Sequence, residues 1–141
     1  SWKYRRCPVK FLLFHRDCLG LWLLREVRGV REVLQERRPA DLMGVTLDTY
    51  WVQAAGAYVL EWIDILQDRI PCVHLKDMSV NGFDQRKAVV GEGNLNFPKI
   101  LEKLQTLGKT KYMLVEQDDC YGESAFDCLK RSYDNVRKMG Y

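Results

Sequence analysis

The chain has 141 residues, 47% apolar and 29% charged, the balance of one ordinary folded domain, which excludes a disordered tail or a low-complexity protein. Its net charge of +3 is uneven, with ten Lys/Arg against four Asp/Glu in residues 1–40 and a slight acidic excess afterwards. A basic stretch of that kind is compatible with nucleic acid or anionic lipid, but solvated helix faces account for it more simply.

Residues 9–14 are a continuous apolar run of strand length, and residues 20–35 carry Leu21, Leu24, Val27, Val30 and Leu34 near helical spacing. Residues 11–24 follow Lys3, Arg5, Arg6 and Lys10 in the manner of a signal peptide, but His15, Arg16 and Asp17 interrupt them. No apolar run reaches the length of a membrane span. Pro39 ends the first strand-helix unit, because proline cannot continue a helix and forces its predecessor into extended geometry. Residues 43–47 form the second strand and deliver Asp48. A loop or helix start follows at residues 49–53, then an amphipathic helix over 58–66.

Residues 70–75 are the third strand, and the chain turns at His74-Leu75-Lys76-Asp77. Residues 79–97 read as one long irregular connection containing Asn81-Gly82 and Gly91-Glu92-Gly93; a connection of that length is usually functional or disordered. Pro98 opens a helix that runs to residue 107 and is stopped by Gly108. Residues 111–115 form the fourth strand, delivering Glu116, and residues 124–139 the last helix. Apolar strands each followed by a helix predict an α/β fold with a parallel sheet covered by helices. No phosphate-cradling glycine motif follows the first strand, so a segment of a (β/α) barrel of TIM type fits better than a doubly wound sheet.

Three successive strand ends thus carry Asp48, His74 and Glu116, and strand C-terminal ends are where such barrels place their chemistry. Two carboxylates and an imidazole suit Mn²⁺, Mg²⁺, Co²⁺ or Zn²⁺. Each residue also has a plainer reading: Asp48 as a helix cap, His74 as a structural histidine, and Glu116 with Asp118 and Asp119 as a solvated turn. Lys76 and Asp77 either contact substrate or pair with each other, Tyr50 and Trp51 either stack on a sugar ring or fill the core, and Glu92 sits in a loop that approaches ligand or merely turns. The five cysteines are widely spaced, without a Cys-x-x-Cys pair, and read as reduced thiols of a cytoplasmic protein.

With Leu47-Asp48-Thr49-Tyr50-Trp51-Val52-Gln53-Ala54-Ala55-Gly56, His74-Leu75-Lys76-Asp77, Gly91-Glu92-Gly93 and Val115-Glu116-Gln117-Asp118 in this order, residues 41–141 resemble the sugar phosphate isomerase/epimerase family, the xylose isomerase-like TIM barrels. The last helix, with Ser132-Tyr133, resembles the closing helix of that family. The resemblance implies about four βα units, strands five to eight of an eight-stranded barrel, behind a divergent basic βα segment over residues 1–40. It implies a divalent metal held by Asp48, His74 and Glu116, a small sugar or sugar-phosphate substrate, and isomerisation or epimerisation through a metal-stabilised enediolate, with Glu116 as one proton-transfer group. The family's further Glu would fall near Phe14-His15-Arg16-Asp17, where this sequence departs from the pattern; Asn96 and Phe97 also stand where relatives carry Asp and Trp.

Half a barrel leaves two open sheet edges. A piece of a longer enzyme, a self-associating half-barrel and a reading-frame change upstream of about residue 40 each account for it. Two other functions compete. An endonuclease of the apurinic-site class would need many His ligands, and only His15 and His74 are present, which disfavours a nucleic-acid substrate. A non-catalytic half-barrel scaffold with a basic terminus is the alternative from outside enzymology.

Overall fold

The computed structural model describes residues 44–141 together with the backbone of Leu12–Leu13. The expected first helix over 20–35, the turn at Pro39 and the positions His15 and Asp17 lie outside the described residues. In chain order the elements are β1 (Leu12–Leu13), β2 (Val45–Asp48), α1 (Thr49–Ala54), α2 (Val59–Leu66), a 3₁₀ turn (Gln67–Arg69), β3 (Cys72–Leu75), β4 (Asp77–Asn81), β5 (Asp84–Ala88), α3 (Phe97–Leu107), β6 (Tyr112–Val115) and α4 (Ala125–Lys138).

Strands β1, β2, β3 and β6 form one parallel sheet in that order, and β4 pairs with β5 as a separate antiparallel hairpin. A parallel sheet in sequential order with helical crossovers is a segment of a TIM-type barrel; the described strands stay open and do not close. The register places Asp48 beside His74, His74 beside Leu114 and Leu75 beside Val115. Side chains alternate across a strand. Val45, Leu47, Val73 and Leu75 therefore point to the helical layer, while Asp48, His74 and Leu114 share the opposite face.

The core lies between the first of these faces and helices α2 and α3. It unites Leu47, Val73 and Leu75 with Trp62, Ile63, Leu66, Phe97, Ile100, Leu101 and Leu104, all buried. Helix α3 begins one residue before the expected start at Pro98: Asn96 caps it by accepting from the Lys99 N–H at 3.2 Å, Pro98 lies in its first turn, and Gly108 ends it in the left-handed region at φ 63°. Ser124 caps α4, whose last turn carries Arg137 and Lys138 against the carbonyl end of the helix dipole.

The connection expected to be irregular is in part a hairpin. Asp77 to Asn81 pairs with Asp84 to Ala88, closed by Gly82 and Phe83, of which only Gly82 has a positive φ (63°). Glycine at the first loop position is the signature of a II′ turn, whose twist matches that of the strands it joins. The hairpin is exposed on both faces towards its tip, so its strands lack the apolar alternation by which a half-buried strand is recognised.

The sheet is least covered at β6. On β6, Tyr112, Met113 and Leu114 are exposed, as are Phe126, Leu129 and Tyr133 on α4. Among the described residues β6 is an edge strand. No helix among them is long and apolar enough to cross a membrane.

Candidate functional site

Asp48 closes β2 and caps α1, and its two oxygens do different things. Oδ1 accepts from the Trp51 N–H at 3.0 Å, the ordinary role of an N-cap carboxylate. Oδ2 faces across the strand ends, 3.9 Å from His74 Nδ1 and 3.2 Å from Lys76 Nζ. The cap reading and the ligand reading of Asp48 are thus both open to one side chain.

His74 stands beside Asp48 in register, and Glu116 follows β6 with its N–H donating to the Leu75 carbonyl at 3.2 Å, which carries the strand pairing one residue further. One ligand atom from each of Asp48, His74 and Glu116 lies within 4.8 Å of the others. Glu116 Oε2 is shut off from solvent 2.6 Å from His74 Nδ1, yet it receives no hydrogen bond of acceptable geometry. Close approach without alignment means that the imidazole does not satisfy this oxygen. Two electron-pair donors converging in this way fit a cation between them, and the mixed carboxylate and imidazole set is that of Mn²⁺, Mg²⁺, Co²⁺ or Zn²⁺.

Lys76 completes the cluster from the same strand, two residues past His74 and so on the same face. Its side chain is 2% exposed, with Nζ 3.2 Å from Asp48 Oδ2, 3.3 Å from Glu116 Oε1 and 3.0 Å from Asp118 Oδ2. Burial works against its charge, but Asp48 and Asp118 more than offset this and hold the ammonium above its usual range. Burial also pushes the Asp48 carboxyl up, against the pull of the Trp51 N–H and Lys76. For Asp118 burial acts upward too, but the bond from Lys76 prevails and the carboxyl lies below its usual value. The ring of Trp51 lies under this group, 5.9 Å from Lys76 Nζ and 5.5 Å from Lys87 Nζ.

Two of the expected contact residues lie away from this cluster. Asp77 is completely buried and points away from the cluster. Its Oδ1 accepts from the N–H groups of Met78 (2.7 Å) and Leu95 (3.1 Å), and its Oδ2 from those of Gly91 and Gly93 (2.9 Å each). Every lone pair is spent on the main chain, so Asp77 organises the loop and leaves nothing for a ligand. Gly91-Glu92-Gly93 is glycine-flanked for this reason: Gly91 has φ 86°, and a Cβ at Gly93 would run into the Asp77 carboxylate and the Met78 carbonyl oxygen. Glu92 itself is paired with Arg131 of α4, at 3.0 and 3.3 Å, and not with the strand-end cluster.

Of the two aromatic candidates, Tyr50 is buried with its ring edge-on to Trp51, whereas Trp51 is only half-buried and remains available to a ligand. Sequence reasoning missed three residues. Thr49 is fully buried, and its Oγ1 lies 2.7 Å from the Lys76 carbonyl and 2.9 Å from the Lys76 N–H, stapling the end of β2 to the end of β3. Asp118 has a legible signal, its spacing of two from Glu116 on an extended chain. Lys87 has none, because β5 looks like loop.

The chain belongs to the xylose isomerase-like TIM barrel family, whose sequence profile matches residues 20–139. An uncharacterized protein of Methanocaldococcus jannaschii is 33% identical over 75 residues, which cover 52% of this chain and 25% of that protein. A sugar phosphate isomerase/epimerase structure from Parabacteroides distasonis aligns at TM-score 0.60 and 23% identity, over 77% of this chain and 35% of that one. A D-tagatose 3-epimerase-like protein aligns at 0.60 and 25%, over 79% of this chain and 39% of that one. A xylose isomerase domain protein from Planctomyces limnophilus aligns at 0.58 and 13%, over 94% and 58% respectively. The chain thus spans a quarter of its curated relative and 35% to 58% of these structures.

Proposed function

We propose that this chain carries the strand-end part of a divalent-metal-dependent isomerase or epimerase site acting on a small sugar or sugar phosphate, with Asp48, His74 and Glu116 as the metal ligands. The observation behind this reading is the convergence of three ligand atoms within 4.8 Å around a Glu116 oxygen left without a hydrogen bond. Sugar isomerase and epimerase neighbours support the substrate class. A bound Mn²⁺, Mg²⁺, Co²⁺ or Zn²⁺ would polarise the substrate carbonyl as a Lewis acid.

The chain's own groups supply the rest. Glu116 faces the cluster through both oxygens, one beside His74 and one beside Lys76, so it is placed to accept a proton from a carbon held there. Trp51 offers a half-buried aromatic face to the apolar side of a sugar ring. Lys76 presents a fixed positive charge towards substrate oxygens as negative charge develops. Proton return on the other side requires a second group, which in this reading comes from chain outside the described residues. The open edge of β6 and the apolar side chains around it are then covered by further barrel strands or by a second copy of the chain.

Calorimetric titration of Mn²⁺ into the chain and into His74→Ala tests the site. Micromolar binding that His74→Ala abolishes is the expected result; a folded wild-type chain that takes up no Mn²⁺ would favour the alternative, a non-catalytic scaffold. Sugar and sugar-phosphate turnover is then screened on the metal-loaded chain.

A further inference from the structure

Lys76 raises a question that the metal reading leaves open. Lysine is almost never fully buried unless paired, and this one is paired three times over. Two of its partners, Asp48 and Glu116, are the carboxylates assigned to the metal, so an ammonium already draws on the oxygens a divalent ion needs. The third, Asp118, lies outside the ligand triad. Its carboxylate is the closest of the three to Nζ, at 3.0 Å, and both bonds Lys76 makes through its main chain run to Thr49 Oγ1. The residue is therefore anchored at its root by β2 and at its tip by Asp118, and a metal has to bind beside it.

The charges fit that arrangement. Asp48, Glu116 and Asp118 bring three negative charges against the one of Lys76, whose Nζ lies within 3.3 Å of all three, and Lys87 adds a second positive charge farther out, beside Trp51; the cluster keeps a negative excess that favours a divalent ion. We infer that Lys76 is a resident cation of the site, one that shares Asp48 and Glu116 with the metal and thereby sets how tightly a divalent ion binds, with Asp118 holding the ammonium in place. This rests on the metal reading above. Lys76 is in this sense a positioning residue: it keeps the carboxylates assembled before any metal arrives, and it weakens the binding of the metal that follows.

The test titrates Mn²⁺ into the full chain as wild type and Lys76→Met, with thermal unfolding of each recorded with and without Mn²⁺. Loss of the ammonium is expected to tighten Mn²⁺ binding by about tenfold or more, because a positive charge sharing the same ligands is removed, and to make the unfolding temperature depend more steeply on Mn²⁺. A folded Lys76→Met chain that binds Mn²⁺ no more tightly than the wild type overturns the inference while the wild-type titration leaves the metal site standing. Absence of binding in both overturns the inference and the metal reading together. Should Lys76→Met fail to fold, Lys76→Gln is titrated in its place: it removes the charge and keeps a polar tip for Asp118, so tighter Mn²⁺ binding than the wild type supports the inference and unchanged or weaker binding overturns it.

Discussion

The two faces of β3 and its continuation are built by alternate residues of one short stretch and meet opposite fates. Val73, Leu75 and Asp77 turn to the helical side, where the first two join the core and the third has all its oxygens occupied by main-chain N–H groups. His74 and Lys76 turn to the other side, where they meet Asp48, Glu116 and Asp118 and where Glu116 Oε2 lies 2.6 Å from His74 Nδ1 without an aligned hydrogen bond. Complete satisfaction of polar groups on one side and incomplete satisfaction on the other is the difference between a part that holds the fold and a part shaped for a ligand. A buried carboxylate by itself does not mark function; Asp77 and Asp48 are both buried, and they differ in what their oxygens face, four main-chain N–H groups in one case and the side chains of His74 and Lys76 in the other.

Substitutions on either side measure that difference. On the satisfied side, Asp77→Ala leaves four inward N–H groups without an acceptor and should cost about 3–5 kcal/mol, read by chemical denaturation, with faster amide exchange at Gly91, Gly93 and Leu95. Stability unchanged by Asp77→Ala would erase the contrast between the faces. Thr49→Val acts where the faces meet, removing the hydroxyl that joins β2 to Lys76. A loss of about 1–3 kcal/mol is expected, accompanied by weaker Mn²⁺ binding, since the strand ends carrying Asp48 and His74 are no longer held in step.

The open side is sharpened by pH, with the smallest expected effect. Asp118 has its carboxyl lowered below 3.8 by Lys76. Its contribution to stability is thus present above the unfolded value and is lost as pH falls through the lower folded value. Acid unfolding followed by circular dichroism should show Asp118→Asn less stable than the wild type near neutral pH, with the two converging as pH falls below about 3.8. A gap that persists to the lowest pH would mean Asp118 acts by packing and not by charge.

Much of this was legible beforehand. The parallel strands, the helix opened by Pro98 and stopped by Gly108, and the three strand-end residues follow from apolar runs and breakers, each a local signal. Lys76 and Asp118 were also within reach, because spacings of two from His74 and Glu116 put them on the same face of an extended chain. The hairpin was not, since both of its strands are polar and exposed towards the tip and only Asn81-Gly82 hinted at a turn. Nor was the distinction between adjacent Lys76 and Asp77, which the sequence presents as an interchangeable ion pair.

The sequence alone determined the class of fold and which side chains reach the strand ends, because strand periodicity and helix punctuation are written in neighbouring residues. Only the tertiary structure decided what those side chains meet. Asp77 could be placed in a cradle of loop amides, Glu92 on Arg131 and Lys76 among three carboxylates only once residues fourteen to forty-two positions away had been brought against them. Hydrogen bonds and charge pairs depend on distances of a few ångströms between remote segments, and no local pattern encodes those distances.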